Sequence, residues 1–358
     1  MVFFILPAMA QNPLQDTMLD SAMSAMHNLE YDHSLSLFNQ MEDNIYTPIG
    51  KLLVEWYQML GLYGNDFNKK ILTNKCVDLA DLYKQKLEND PNNPDLNFCM
   101  ALAIGFKSRV MISEKNSFFV MFNGMNSLKY LRRVDELSEN NPDLEFCKGV
   151  FEYYISKYPG IVKYCANMFL ETTGGRETGR QRLELAAQSD GFLKYDANFL
   201  LAFLYLYIEN KPEKAADYVD LLVTEFPKNP NYHFLQTFCN LQLENIDTAE
   251  QNFENFKKSI NPYNPYYKEE FINRTDFLLA MIAIKKMEYD EADKYFDVFT
   301  QGYKLELEHL MAVALLEKGK IQENKGNPQE AKKLYKSVIE IGNNTYPIRL
   351  AEERLKHF

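Results

Sequence analysis

Cysteine, histidine, glycine, proline and tryptophan are all scarce in this chain. Its 358 residues include five Cys, five His, 15 Gly, 14 Pro and one Trp. The cysteines Cys76, Cys99, Cys147, Cys165 and Cys239 are odd in number and form no CxxC pair. They read as buried small hydrophobes rather than as a disulfide frame or thiolate metal ligands. No His has metal-ligand spacing with Cys, Asp or another His, so neither metal nor cofactor is expected. So little Gly and Pro leaves no room for long linkers or low-complexity tracts. A basic excess is also missing: 50 Asp and Glu face 39 Lys and Arg, a net charge of −11. That balance argues against non-specific nucleic-acid binding, which needs a basic stripe to replace phosphate counterions. It argues equally against an anionic membrane surface. No run approaches the roughly 18 apolar residues of a membrane-crossing helix, and Phe118–Phe122 is far too short. No nucleophile–base signature or nucleotide loop is present, so no enzymatic activity is expected.

What is abundant is apolar and aromatic: 46% hydrophobic residues, with 25 Phe and 23 Tyr at helical spacing. An octet is also written almost twice, NNPDLNFC at Asn92–Cys99 and NNPDLEFC at Asn140–Cys147. In each, Asn93 or Asn141 is a good N-cap, because its side-chain oxygen accepts an orphan amide of the first turn. Pro94 or Pro142 then occupies the first helical position, where a missing N–H costs nothing. Asp95, Asp143 and Glu145 place negative charge at the positive end of the helix. Asn229-Pro230-Asn231 is a looser third copy. A start signal that recurs points to an internal repeat.

Alanines beside turn signals supply the register. Ala215, Ala249, Ala292 and Ala331 each precede a large apolar residue by four: Val219, Phe253, Phe296 and Tyr335. The spacings are 34, 43 and 39 residues. In this pattern, with Pro227 closing the first unit, the chain resembles the tetratricopeptide repeat, clearest over Asn198–Glu340. Ser34 and Phe38 fit the same pattern near the N-terminus. The resemblance implies an all-α, tetratricopeptide-like helical-hairpin solenoid, a right-handed superhelix with elongated central repeats and a C-terminal capping helix. It implies that the alanines let the two helices of a hairpin approach closely. Asn92–Glu139 reads as one elongated repeat, with helices over 95–113 and 118–137. The Gly-rich turn beside Arg176, Arg180 and Arg182 reads as a repeat turn, with Ala186 in the small position, rather than as a phosphate cradle. This middle section resembles the outer-membrane and inclusion-body-clearance repeat proteins of eukaryotes. Residues 11–91 read as divergent N-terminal repeats, 92–196 as elongated repeats and 197–358 as repeats plus a cap, in one continuous solenoid. The cap helix is expected to turn Leu350 and Leu355 inward.

The inner surface of such a solenoid is usually polar. Here Leu200, Leu204, Tyr207, Phe234, Phe238, Phe277, Met281 and Ile284 fall at nominally concave positions. A helix apolar all round is buried all round, so this stripe needs a cover. The N-terminal repeats, a partner chain (a second copy included) or a hydrophobic ligand are the alternatives. Tyr263, Tyr266 and Tyr267 sit in a Pro-bearing loop, as binding anchors or packed over a repeat edge. The leading expectation is a non-enzymatic protein–protein interaction scaffold or adaptor. The alternative is a carrier of a hydrophobic small molecule, or a transport accessory, using the apolar interior. Residues 1–10 resemble a signal-peptide remnant, with Ala8-Met9-Ala10 before Gln11. That makes export to the periplasm or outer envelope the expectation, and a cytoplasmic site the alternative.

Overall fold

The computed structural model describes residues 13–41, 43–61, 69–112, 117–138, 141–155, 175–260, 268–303, 309–342 and 345–358. Among the described residues there are seventeen α-helices and no strand. In chain order they are α1 (Pro13–His27), α2 (Tyr31–Asn39), α3 (Thr47–Gly61), α4 (Lys69–Asn89), α5 (Pro94–Ile112) and α6 (Ser117–Leu137). There follow α7 (Pro142–Ile155), α8 (Arg176–Ala187), α9 (Lys194–Phe203), α10 (Pro212–Glu225), α11 (Pro230–Gln242) and α12 (Ile246–Ser259). The last five are α13 (Lys268–Lys285), α14 (Tyr289–Gly302), α15 (His309–Asn324), α16 (Pro328–Glu340) and α17 (Tyr346–Leu355).

These helices form two compact units. The first holds α1–α7 apart from Gly61, α8 as far as Leu185, and Ser189–Phe192. The second holds Ala186–Gln188 and the chain from Leu193 onward.

The octets start helices in the first unit. The amide of Leu96 donates to Asn93 Oδ1 at 3.0 Å, and that of Asp143 to Asn141 Oδ1 at 3.0 Å. The third copy behaves alike, with the Asn231 amide donating to Asn229 Oδ1 at 2.9 Å. The two aspartates of the octets then tie neighbouring elements together. The Tyr46 hydroxyl donates to Asp95 Oδ1 at 2.8 Å, the Phe192 amide donates to Asp143 Oδ2 at 3.1 Å, and the rings of Tyr46 and Phe192 lie 5.4 Å apart. The repeated octet therefore supplies both a helix start and a carboxylate anchor for a neighbouring segment. Helices α5 and α6, of 19 and 21 residues, form the elongated hairpin.

At α8 the small position belongs to Gly179 rather than Ala186. A Cβ on Gly179 would lie 2.4 Å from the Tyr153 amide nitrogen and 2.7 Å from the Gly149 carbonyl oxygen of α7. Only two glycines let the backbones of α7 and α8 come this close. Ala186 lies near the other end of α8, buried. Near the N-terminus the Ser34 hydroxyl donates to the Ala22 carbonyl at 2.7 Å, and the Phe38 ring lies where a side chain on Gly50 would be.

In the second unit four hairpins follow one another: α9–α10, α11–α12, α13–α14 and α15–α16. Ala215, Ala249, Ala292 and Ala331 are each the fourth residue of the second helix, and all four are fully buried. Twelve positions before three of them stand Thr237, Ala280 and Gly319, also small or β-branched. A Cβ on Gly319 would meet the Tyr335 ring at 2.4 Å. The first hairpin differs: its buried small residue, Ala202, stands thirteen before Ala215. The extra residue is absorbed by a π-helical turn, Leu204–Glu209, that continues α9.

Each hairpin turn then uses the same backbone device. Asn210, Glu244, Met287 and Gly326 have positive φ, as does Leu29 before Ser34, and every one stands five residues before the small position. The next amide reaches back across the turn: Asn245 to Asn240 O at 3.0 Å, Glu288 to Ala283 O at 2.9 Å, Asn327 to Gln322 O at 2.9 Å. These are Schellman-type helix ends. In the first hairpin Lys211 reaches Tyr205 O, one residue further back, at 2.8 Å, in keeping with the π turn. The closing helix α17 buries Tyr346, Pro347, Ile348 and Ala351, whereas Leu350 and Leu355 are only half-buried. Its inner face is thus rotated from the one expected.

Candidate interaction site

The apolar stripe of the second unit is its candidate site. Leu204, Tyr207, Phe234, Phe238, Phe277 and Met281 are all buried, and Leu200 and Ile284 are half-buried. The stripe is therefore shielded from solvent, as its apolarity requires, and side-chain direction shows by what. Phe234 faces Phe256 of α12, ring centroids 5.9 Å apart. Phe277 faces Phe296 and Phe299 of α14 at 6.0 and 5.1 Å. These two rings point into the layer between paired helices instead of the inner surface. Phe238 stands between the two directions, 6.3 Å from Phe234, 5.6 Å from Phe277 and stacked on Tyr207 at 5.4 Å.

Tyr207 does face inward, and what it meets comes from the end of the unit. The His309 ring of α15 lies edge-on to Tyr207 at 4.5 Å and to Phe203 at 5.2 Å. Gln242 Nε2 donates to the Tyr346 hydroxyl at 3.2 Å, and Arg349 Nη2 donates to the Ile208 carbonyl at 2.6 Å. Helix α17 also packs on the π turn. Within its own unit, α15 thus covers the stripe at Tyr207, and α17 packs on the π turn beside it. Burial raises the phenols of Tyr207 and Tyr346 well above the ordinary tyrosine value, so both stay neutral. Arg274 borders the seam, 5.0 Å from the Phe234 ring centroid, with Nη1 donating to Asn231 Oδ1 at 2.8 Å.

The remaining expected positions fall as follows. Phe253, Phe296 and Tyr335 are buried beside their alanines, as is Val219. Pro227 is exposed, and its carbonyl accepts from His233 Nε2 at 2.8 Å, holding the loop before α11. Tyr263, Tyr266 and Tyr267 lie outside the described residues, as do Cys165 and residues 1–10. Cys76, Cys99 and Cys239 are buried and Cys147 is half-buried. Burial pushes the Cys76 and Cys239 thiols up to about 12.

The arginines beside the Gly-rich turn bind protein. In the first unit Arg182 joins α8 to α7, with Nη1 2.9 and 2.7 Å from the two Glu145 oxygens and Nε 3.1 Å from Glu152 Oε1. Arg176 Nε donates to the Tyr153 hydroxyl at 2.9 Å, and Arg180 pairs with Glu177 and Glu184 of its own helix. Among the described residues no group of three or more His, Cys, Asp or Glu is placed to hold a metal ion. No described helix is long and apolar enough to cross a membrane.

Residues 313–341, which span the close approach of Gly319 to Tyr335, match the family model described as tetratricopeptide repeat. Among solved structures the chain is similar to a human IFIT1 dimer with PPP-AAAA, with a TM-score of 0.47 and 15% identity over 97% of this chain and 85% of that one. It is also similar to yeast Tom70, with a TM-score of 0.38 and 10% identity over 96% and 81%. Comparison with curated proteins by sequence gives no match.

Proposed function

We propose that this tetratricopeptide-repeat chain is a non-enzymatic interaction scaffold that binds other proteins. The observation that carries the reading is the filled seam of the second unit, where the Tyr207 ring packs between Phe238 and His309 and the buried Tyr346 hydroxyl accepts from Gln242. A carrier of a hydrophobic small molecule needs room between such side chains. A scaffold needs only a rigid frame presenting its outer residues and loops. Neighbouring hairpins supply that rigidity through their buried alanines.

Crosslinking in native extract followed by binding with the purified partner is the test. A stoichiometric protein complex that re-forms from pure components supports the scaffold. A stoichiometric lipid-like molecule in solvent extracts of the native protein, with no such complex, overturns it in favour of the carrier. The PPP-AAAA named with human IFIT1 is not proposed as a ligand, because a net charge of −11 opposes phosphate binding. Export is proposed from Ala8-Met9-Ala10 alone. Secreted or periplasmic material beginning at Gln11 supports it, and cytoplasmic material retaining residues 1–10 refutes it.

A further inference from the structure

We infer that α17 is a latch that closes the second unit onto its own first hairpin through the π turn. In a repeat array each hairpin ordinarily touches its sequence neighbours, and its ends do not meet. Here they do. Arg349 Nη2 reaches the Ile208 carbonyl 141 positions earlier, and Gln242 Nε2 reaches the Tyr346 hydroxyl 104 positions later. Three features of the π turn fit it to the latch. The extra residue between Ala202 and Ala215 widens the last turn of the helix. Asn210 ends it in the left-handed region, with Lys211 bonding back to Tyr205 O. The Ile208 carbonyl at its rim is met by a guanidinium rather than by a further turn of helix. The same turn carries Tyr207, whose ring is held between Phe238 and His309.

Undocking α17 breaks the Arg349–Ile208 and Gln242–Tyr346 bonds in one motion and frees the π turn that carries Tyr207. Docking couples the first hairpin of the unit to its end. The latch therefore determines how firmly the π turn is held, a property independent of the scaffold reading.

Amide hydrogen exchange on the full-length protein tests it, comparing the wild type with Arg349→Ala, Arg349→Lys and Gln242→Ala. In Arg349→Ala, exchange over Tyr205–Lys211 is expected to quicken by about tenfold, while α12 and α14 keep wild-type rates. Arg349→Lys, which keeps a charged donor, restores part of that protection. Gln242→Ala, which removes the other bond to α17, quickens exchange over Leu350–Leu355, the amides that α17 itself protects. Unchanged rates at Tyr205–Lys211 in Arg349→Ala overturn the latch. So does an equal rise in α12 and α14, which marks general loosening. If Arg349→Ala does not fold, Gln242→Ala decides, and unchanged rates over Leu350–Leu355 overturn the proposal.

Discussion

Single residues fix how closely the helices of a hairpin can approach. At Gly319 a methyl group would sit 2.4 Å from a ring carbon of the fully buried Tyr335. Gly319→Ala improves helix propensity by about 1 kcal/mol, but overpacking costs about 1–3 kcal/mol. The net expectation is a loss of stability, read as a lower urea midpoint. Ala249→Leu and Ala292→Leu should each cost about 1–3 kcal/mol for the same reason, since both alanines are fully buried. Unchanged midpoints in both would put the hairpin contact elsewhere. The buried thiols give a pH dependence. Cys76 and Cys239 rise from the ordinary value near 9 to about 12 because burial penalises the thiolate. The unfolded chain loses these protons first as pH rises, so the folded state holds more protons in that window. Stability is full below about 9 and falls between about 9 and 12. The urea midpoint should drop over that range, and Cys76→Ala with Cys239→Ala should flatten the drop.

At the scale of elements, helix starts and hairpin turns follow different rules. The starts depend on side chains: Asn93, Asn141 and Asn229 cap their helices as the octet pattern implies. Replacing any one by Ala should cost about 1 kcal/mol, read by chemical denaturation. The turns depend on the backbone. Leu29, Glu244 and Met287 hold positive φ although none is a residue that favours it. A left-handed residue with a Cβ costs roughly 1–2 kcal/mol, and Gly gives back about half through its own flexibility. Met287→Gly should therefore stabilise by about 0.5–1 kcal/mol, since Met287 is 74% exposed and loses little packing. A fall in melting temperature would contradict this. The π turn in the first hairpin is the same device widened by one residue.

For the whole molecule, α-helices with one π turn and no strand make up the regular structure of the described residues. Far-UV circular dichroism should be dominated by helix, and substantial strand signal would contradict it. The first unit is held by carboxylate anchors from the octets and by the glycine crossing of α7 and α8. The second is held by aromatic contact within and between hairpins, closed by α17 on the π turn.

Helix starts, the alanine register and the repeat class were all legible in the sequence, because capping, periodicity and small-residue spacing act over one or two turns. That the aromatic stripe is buried was legible as well, since so apolar a helix tolerates no water. What covers it was not. Phe234 and Phe277 turn between paired helices while Tyr207 turns inward, a choice set by rotamer direction and by neighbours far along the chain. The one-residue insertion before Ala215 was present in the spacing but invisible without Thr237, Ala280 and Gly319 aligned in space. The Arg349–Ile208 and Gln242–Tyr346 contacts join residues more than a hundred positions apart. No local pattern encodes such a meeting. Only the accumulated rotation of four hairpins brings those groups within bonding distance, and so the tertiary structure alone decided that the unit covers its own seam.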